Sequence, residues 1–168
     1  MSDGASRPAV AIRPATRADV PLLHRLIVAL AEYERAPDAV TGTPAMLAQA
    51  LFGERPAAEA LLAESRGEVA GFALFHGTFS TWECAPGLWL EDIYVLPEHR
   101  RAGVGEALVR RIAALALERG CTRLEWAALD WNEPALRFYR RLGAEVLDRW
   151  LLHRLDGERL RRVAGGNG

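Results

Sequence analysis

From Leu90 to Leu108 the chain reads LEDIYVLPEHRRAGVGEAL. A β-type run, Leu88–Val95, is stopped by Pro97. Two arginines and two glycines follow, and a helix-forming run opens at Gly103. A helix N-terminus carries unpaired N–H groups and about half a positive charge. Gly103 and Gly105 let backbone approach a ligand closely, and Arg100 and Arg101 add two full charges. The sum is a cradle for phosphate oxygens. Two common phosphate loops do not fit. A Walker A loop needs a lysine, and all 21 basic residues are arginine. The Rossmann fingerprint fails where its third glycine would stand, at Leu108. Taken alone, the motif leaves open a glycine-rich turn with no ligand.

The rest of the chain supplies a layered frame. Val10–Arg13 reads as a strand. TRADVPLLHRLIVALAEYER reads as a helix with Leu22, Leu26, Leu30 and Tyr33 on one face. Thr43 caps a second helix, Thr43–Phe52, with Pro44 behind it. Ala58–Glu64 and Glu68–Phe79 form a hairpin through Ser65–Gly67. Gly103–Arg119 is a helix closed by Gly120. Thr122–Ala128 is a strand and Asn132–Leu142 a helix. Glu145–Asp148 and Trp150–Leu155 are strands, and Asp156–Val163 is a closing helix. The expectation is an α/β fold: a central mixed sheet of about seven strands flanked by about four helices. It forms one domain over residues 9–164, after a disordered tail at 1–8.

A net charge of −1 gives no sign of a nucleic-acid binder. Cys84 and Cys121 stand in no zinc spacing, so no metal is expected. MSDGASRPAV has no apolar signal core, and no apolar run approaches the roughly 20 residues that span a bilayer. The reading is a cytoplasmic, reducing setting without membrane partners.

The order strand, R-x-x-G-x-G, helix resembles the acetyl-CoA loop of the GNAT acetyltransferases. GFALF, LEDIYV, GVGEALV and DWNEPALRFYRRLGA resemble one branch, the diamine (spermidine/spermine-type and thialysine) N-acetyltransferases. The likeness runs from about Ile12 to Ala164. It implies an acetyl-CoA-dependent N-acetyltransferase that acylates a primary amine of a small molecule by direct attack in a ternary complex, and it implies a homodimer. The apolar Trp150–Leu152 is a weak second hint of the dimer.

That chemistry has two proton problems. An alkylamine with a pKa near 10.4 is almost all ammonium at pH 7, a handicap of roughly 4–5 kcal/mol. The departing thiolate also needs a proton. The resemblance assigns the base role to Glu91, acting through a water, and the acid role to Tyr139. From the residues alone Glu91 could equally face solvent at a strand end, and Tyr139 could be a core tyrosine. A regular strand sends Glu91 and Asp92 to opposite faces, which leaves Asp92 a secondary amine contact or a cap.

Ile93, Tyr94 and Val95 would present a strand edge to the pantetheine amides. Arg100, Arg101, Ala102, Gly103, Val104, Gly105 and Glu106 would hold the pyrophosphate. Asn132, Glu133, Pro134 and Ala135, with Tyr139, would touch the cofactor from the late helix, where Asn132 also reads as a helix cap. Tyr33 and Glu34, with Glu125, Trp126 and Ala127, are carried over as amine contacts. His24, His76, His99 and His153 are scattered and read as non-catalytic. Trp82 either stacks on substrate or anchors its loop. The branch's polyamine-acetylating members carry a run of acids between the last two strands. Here that turn is EVLDRW, so long polycations fit less well than short diamines or thialysine. Three alternatives stand: an amino acid, antibiotic or protein N-terminus as acceptor; a non-catalytic CoA-binding domain, against which Glu91 and Tyr139 argue; and a nucleotide-binding module.

Overall fold

The computed structural model describes residues 9–165, so the expected tail at 1–8 lies outside the described residues. The chain divides into two compact units with the boundary between Ala127 and Ala128.

The first unit is built on one mixed sheet. Its strands are β1 (Val10–Pro14), β2 (Glu59–Ser65), β3 (Glu68–Ser80), β4 (Ala85–Val95) and β5 (Leu124–Glu125), in that spatial order. The first four pair antiparallel, and β4 with β5 is parallel. Arg66 and Gly67, both at positive φ (56° and 82°), close the β2–β3 hairpin. Helices α1 (Val20–Tyr33) and α2 (Pro44–Phe52) pack on one face of the sheet, and α3 (Val104–Glu118) packs on the other. The Thr43 side chain accepts from the Met46 amide at 3.3 Å, the expected cap of α2.

Two cores result. Leu88 and Leu90 of β4 pack with Leu108 and Ile112 of α3, while Tyr94 of β4 packs with Leu23, Leu26 and Leu30 of α1. Full burial of such leucines contributes about 1.5–3 kcal/mol each. Arg13 bridges the elements at one edge. It donates to Asp19 at 2.8 and 2.9 Å and to Glu64 at 2.7 Å. That bidentate pairing holds the Asp19 carboxyl well below the usual aspartate range.

The second unit holds α4 (Glu133–Arg141) and α5 (Gly157–Val163). Asn132 caps α4, its Oδ1 accepting from the Ala135 amide at 3.4 Å. Gly143, at φ 85°, ends the helix as its position predicts.

The sheet has five strands where the sequence reading expects about seven, and the described residues form five α-helices. Thr122–Ala128 pairs only at Leu124 and Glu125. Glu145–Asp148 and Trp150–Leu155 form no strand. Both segments carry adjacent apolar residues, Val146–Leu147 and Trp150–Leu152, but find no ladder partner among the described residues, and a strand exists only through pairing. Val146, Leu147, Trp150, Leu151 and Leu152 of this segment are exposed.

Candidate active site

Pairing of β3 with β4 slips at one point. Leu74 lies opposite Asp92 and Phe75 opposite Leu90, so Glu91 is one residue more than the partner strand can match. This is a β-bulge, a device that re-aims side chains. Its effect is legible in the packing. Leu90 and Ile93, three residues apart, both face the α3 side, and Tyr94 faces the α1 side. The two intervening acids therefore share the α1 side. The alternation expected of a regular strand does not hold here, and Asp92 joins Glu91 instead of pointing away from it.

Asp92 is largely buried. Desolvation, with Glu91 and Glu34 nearby, pushes its carboxyl up to about 6. Glu34, just past the end of α1, is also raised by partial burial. The α1 side of β4 thus gathers three carboxylates from two elements.

Glu91 is more exposed and better partnered. The Trp89 indole Nε1 donates to Glu91 Oε2 at 2.8 Å. His76 Nε2 lies 3.7 Å from the same oxygen, and His76 Nδ1 stands 3.2 Å from the Gly77 carbonyl. From the sequence alone His76 reads as one of four scattered, non-catalytic histidines. Only the register, which places His76 opposite Trp89, brings it to Glu91.

Beyond Trp89, β4 has no ladder partner on its β5 side among the described residues, because β5 pairs only with Leu88 and Trp89. Ile93, Tyr94 and Val95 lie on that open stretch. Gly71 of β3 makes close approach on the other side possible: a Cβ there would stand 2.4 Å from the Tyr94 carbonyl oxygen. Glu125 on β5 pairs with Arg123 at 2.8 Å, Trp126 is half-buried against the α3-side core, and Ala127 is exposed.

The loop before α3 carries a second site. Arg101 and Gly103 sit at φ 65° and 89°, and α3 starts at Val104. Left-handed residues alternating with right-handed ones turn successive amide N–H groups to one side, a nest for an anion. A non-glycine residue there stores about 1–3 kcal/mol of strain, as functional loops often do. Val104, Gly105 and Glu106 supply the free first-turn amides, and Ala102 is half-buried beneath. The loop therefore fits a pyrophosphate on backbone grounds. Arg100 is directed differently. Its Nε donates to the Val95 carbonyl at 3.1 Å, and its guanidinium lies over the rings of Tyr33 (4.8 Å) and Tyr94 (5.6 Å).

In the second unit Asn132, Leu136 and Tyr139 follow helical spacing along α4. The Tyr139 ring tilts against Phe138 at 5.2 Å, and Glu133, Pro134 and Ala135 form the first turn. No group of three or more His, Cys, Asp or Glu among the described residues could hold a metal ion. No helix among them is long and apolar enough to cross a membrane.

A stretch of β4 beyond its pairing with β5, a bulge carrying acids and an anion nest at a helix start occur here together. The acetyltransferase (GNAT) family model matches residues 25–144. The chain belongs to that family. It is 40% identical to a thialysine N-epsilon-acetyltransferase of Bos taurus, covering 93% of this chain and 98% of the relative. It is 29% identical to an L-ornithine N5-acetyltransferase of Arabidopsis thaliana, covering 90% and 86%. An integron cassette protein of V. cholerae superposes with a TM-score of 0.78 at 25% identity, covering 94% of this chain and 98% of that one. As a GNAT acetyltransferase the protein is an N-acetyltransferase of amines, and acetyl-CoA is the acyl donor of the family.

Proposed function

We propose that the chain transfers an acetyl group from acetyl-CoA to a primary amine of a small diamine or thialysine-like molecule by direct attack in a ternary complex. The observation that carries this is the bulge that sets Glu91 and Asp92 on one face of β4. An acid pair with Glu34 nearby attracts an ammonium group, and Asp92, its carboxyl raised to about 6, is a soft partner for a cation. Glu91, whose Oε2 accepts from the Trp89 indole, takes a proton from the amine through a water on this reading.

On this reading the nest from Arg101 to Glu106 holds the pyrophosphate. The open stretch Ile93–Val95 takes the pantetheine amides as an added strand would. Bound acetyl-CoA supplies the activated carbonyl. By resemblance, Asn132 to Ala135 touch the cofactor and Tyr139 donates the proton that the leaving thiolate needs. Tyr33, Glu34, Glu125, Trp126 and Ala127 line the amine's path. The match over residues 25–144 crosses the boundary between the two units, which supports one functional domain over 9–164. A cytoplasmic homodimer completes the reading. The exposed Trp150, Leu151 and Leu152 support the dimer, and light scattering at micromolar concentration tests it, a clean monomer mass refuting it.

Acceptor class is tested by release of free thiol from acetyl-CoA across a panel of short diamines, thialysine, spermine, amino acids, an aminoglycoside and a peptide N-terminus. The expected order puts short diamines and thialysine first and spermine lower, since EVLDRW lacks a run of acids. Preference for the aminoglycoside or the peptide would replace the proposed acceptor.

A further inference from the structure

Arg100 is the first residue of the R-x-x-G-x-G motif, which makes it a ready candidate for a phosphate ligand. Its contacts point elsewhere. The guanidinium stacks over two tyrosines from different elements, Tyr33 at the end of α1 and Tyr94 on β4. Those rings also meet each other, centroids 6.4 Å apart and tilted by 56°. The Nε proton goes to the Val95 carbonyl at 3.1 Å. One side chain therefore ties the last turn of α1 to the strand that carries the acids. A planar guanidinium suits this place because it can stack on a ring face and donate in its own plane at once, which an ammonium cannot do.

We propose that Arg100 is a positioning residue of the amine pocket, not a ligand of the acetyl-CoA phosphates. This rests on the acetyltransferase reading above. Arg100 fixes where α1 ends relative to β4, and so sets the gap between Tyr33 and Glu34 on one side and Asp92 on the other. The anion nest keeps its own means of holding phosphate: the backbone at Arg101 and Gly103, the α3 N-terminus, and the Arg101 charge. The two tasks sit on adjacent residues and are separable.

The test compares Arg100→Met and Arg100→Lys with wild type. Acetyl-CoA affinity is read by calorimetry without amine, and KM and kcat for a short diamine by thiol release. Loss of two cation–π contacts predicts an amine KM raised about tenfold in Arg100→Met, with kcat within about twofold. Acetyl-CoA affinity is expected to stay within about threefold of wild type. Arg100→Lys keeps a cation over the rings but loses the in-plane donor, so it should recover part of the amine KM. A tenfold or greater loss of acetyl-CoA affinity with an unchanged amine KM would overturn the proposal. So would equal losses of both affinities, or full amine KM in Arg100→Met. If that variant is unfolded by circular dichroism, Arg100→Lys decides by the same two readouts. Absence of amine-dependent thiol release from wild type would instead mark failure of the acetyltransferase reading, which carries this proposal with it, and the calorimetry would still show whether Arg100 holds phosphate.

Discussion

The Trp89 indole N–H donates to Glu91 Oε2 at 2.8 Å from two residues away on the same strand. That hydrogen bond holds the bulge residue in one orientation and leaves its second oxygen for other partners. His76 Nε2, 3.7 Å away on β3, is a second neighbour of the same oxygen. Glu91 is thus placed more firmly than its exposure alone would suggest.

The first prediction concerns this base. Glu91→Gln keeps the Trp89 acceptor and the shape of the bulge but removes the proton acceptor. Turnover should fall most near neutral pH and least at high pH, where free amine is abundant. A pH–rate profile of wild-type height and shape would remove Glu91 from the mechanism.

Asp92 gives a stability prediction with a definite sign. Its carboxyl is raised in the folded protein to about 6, so ionisation costs more folded than unfolded. Stability is therefore highest below the unfolded aspartate value and is lost as pH rises through about 6. Asp92→Asn removes that loss. Relative to wild type the variant should gain about 2–3 kcal/mol on going from pH 4 to pH 8, and it should bind amine less well. Denaturant melts at the two pH values measure it, and a pH-independent difference would show that Asp92 is not strained by burial.

Much of this arrangement is readable from sequence, and the limits are physical. The Thr43 and Asn132 caps, the Ser65–Gly67 turn and the start of α3 after Gly103 are local choices, fixed by residues within a turn of one another. The bulge is not local. Nothing in LEDIYV says which β3 residue lies opposite Asp92, and that pairing decides whether the two acids share a face. The His76–Glu91 approach depends on the same register. Arg100 stacks on Tyr33 across a long stretch of chain, so its direction cannot be read from the motif around it. The strands expected at Glu145–Asp148 and Trp150–Leu155 show the converse: apolar residues in sequence do not by themselves supply a ladder partner.

Gly71 tests the frame behind the site. An added Cβ would meet backbone, the Tyr94 oxygen at 2.4 Å and the Val95 Cα at 3.1 Å. Neither can rotate away, so β3 and β4 must part. Gly71→Ala should cost roughly 1–3 kcal/mol and weaken acetyl-CoA binding, because the displaced residues are Tyr94 and Val95. Unchanged stability and affinity would show that the strands have slack there.

Tyr139→Phe separates two roles for the phenol. Phenylalanine keeps the ring against Phe138 and removes the proton. As the leaving-group acid, Tyr139 predicts a loss of about 10²-fold or more in kcat with acetyl-CoA affinity retained. As a packing residue it predicts a stability loss of about 1 kcal/mol with near-normal turnover. Thermal unfolding and steady-state kinetics on this one variant separate them.

Direct transfer in a ternary complex is tested by initial velocities with acetyl-CoA and a short diamine varied together, followed as free thiol. Attack on the bound thioester predicts amine-dependent thiol release and double-reciprocal lines that intersect. Parallel lines, the mark of an acetylated enzyme intermediate, or thiol release that does not depend on the amine, would contradict it.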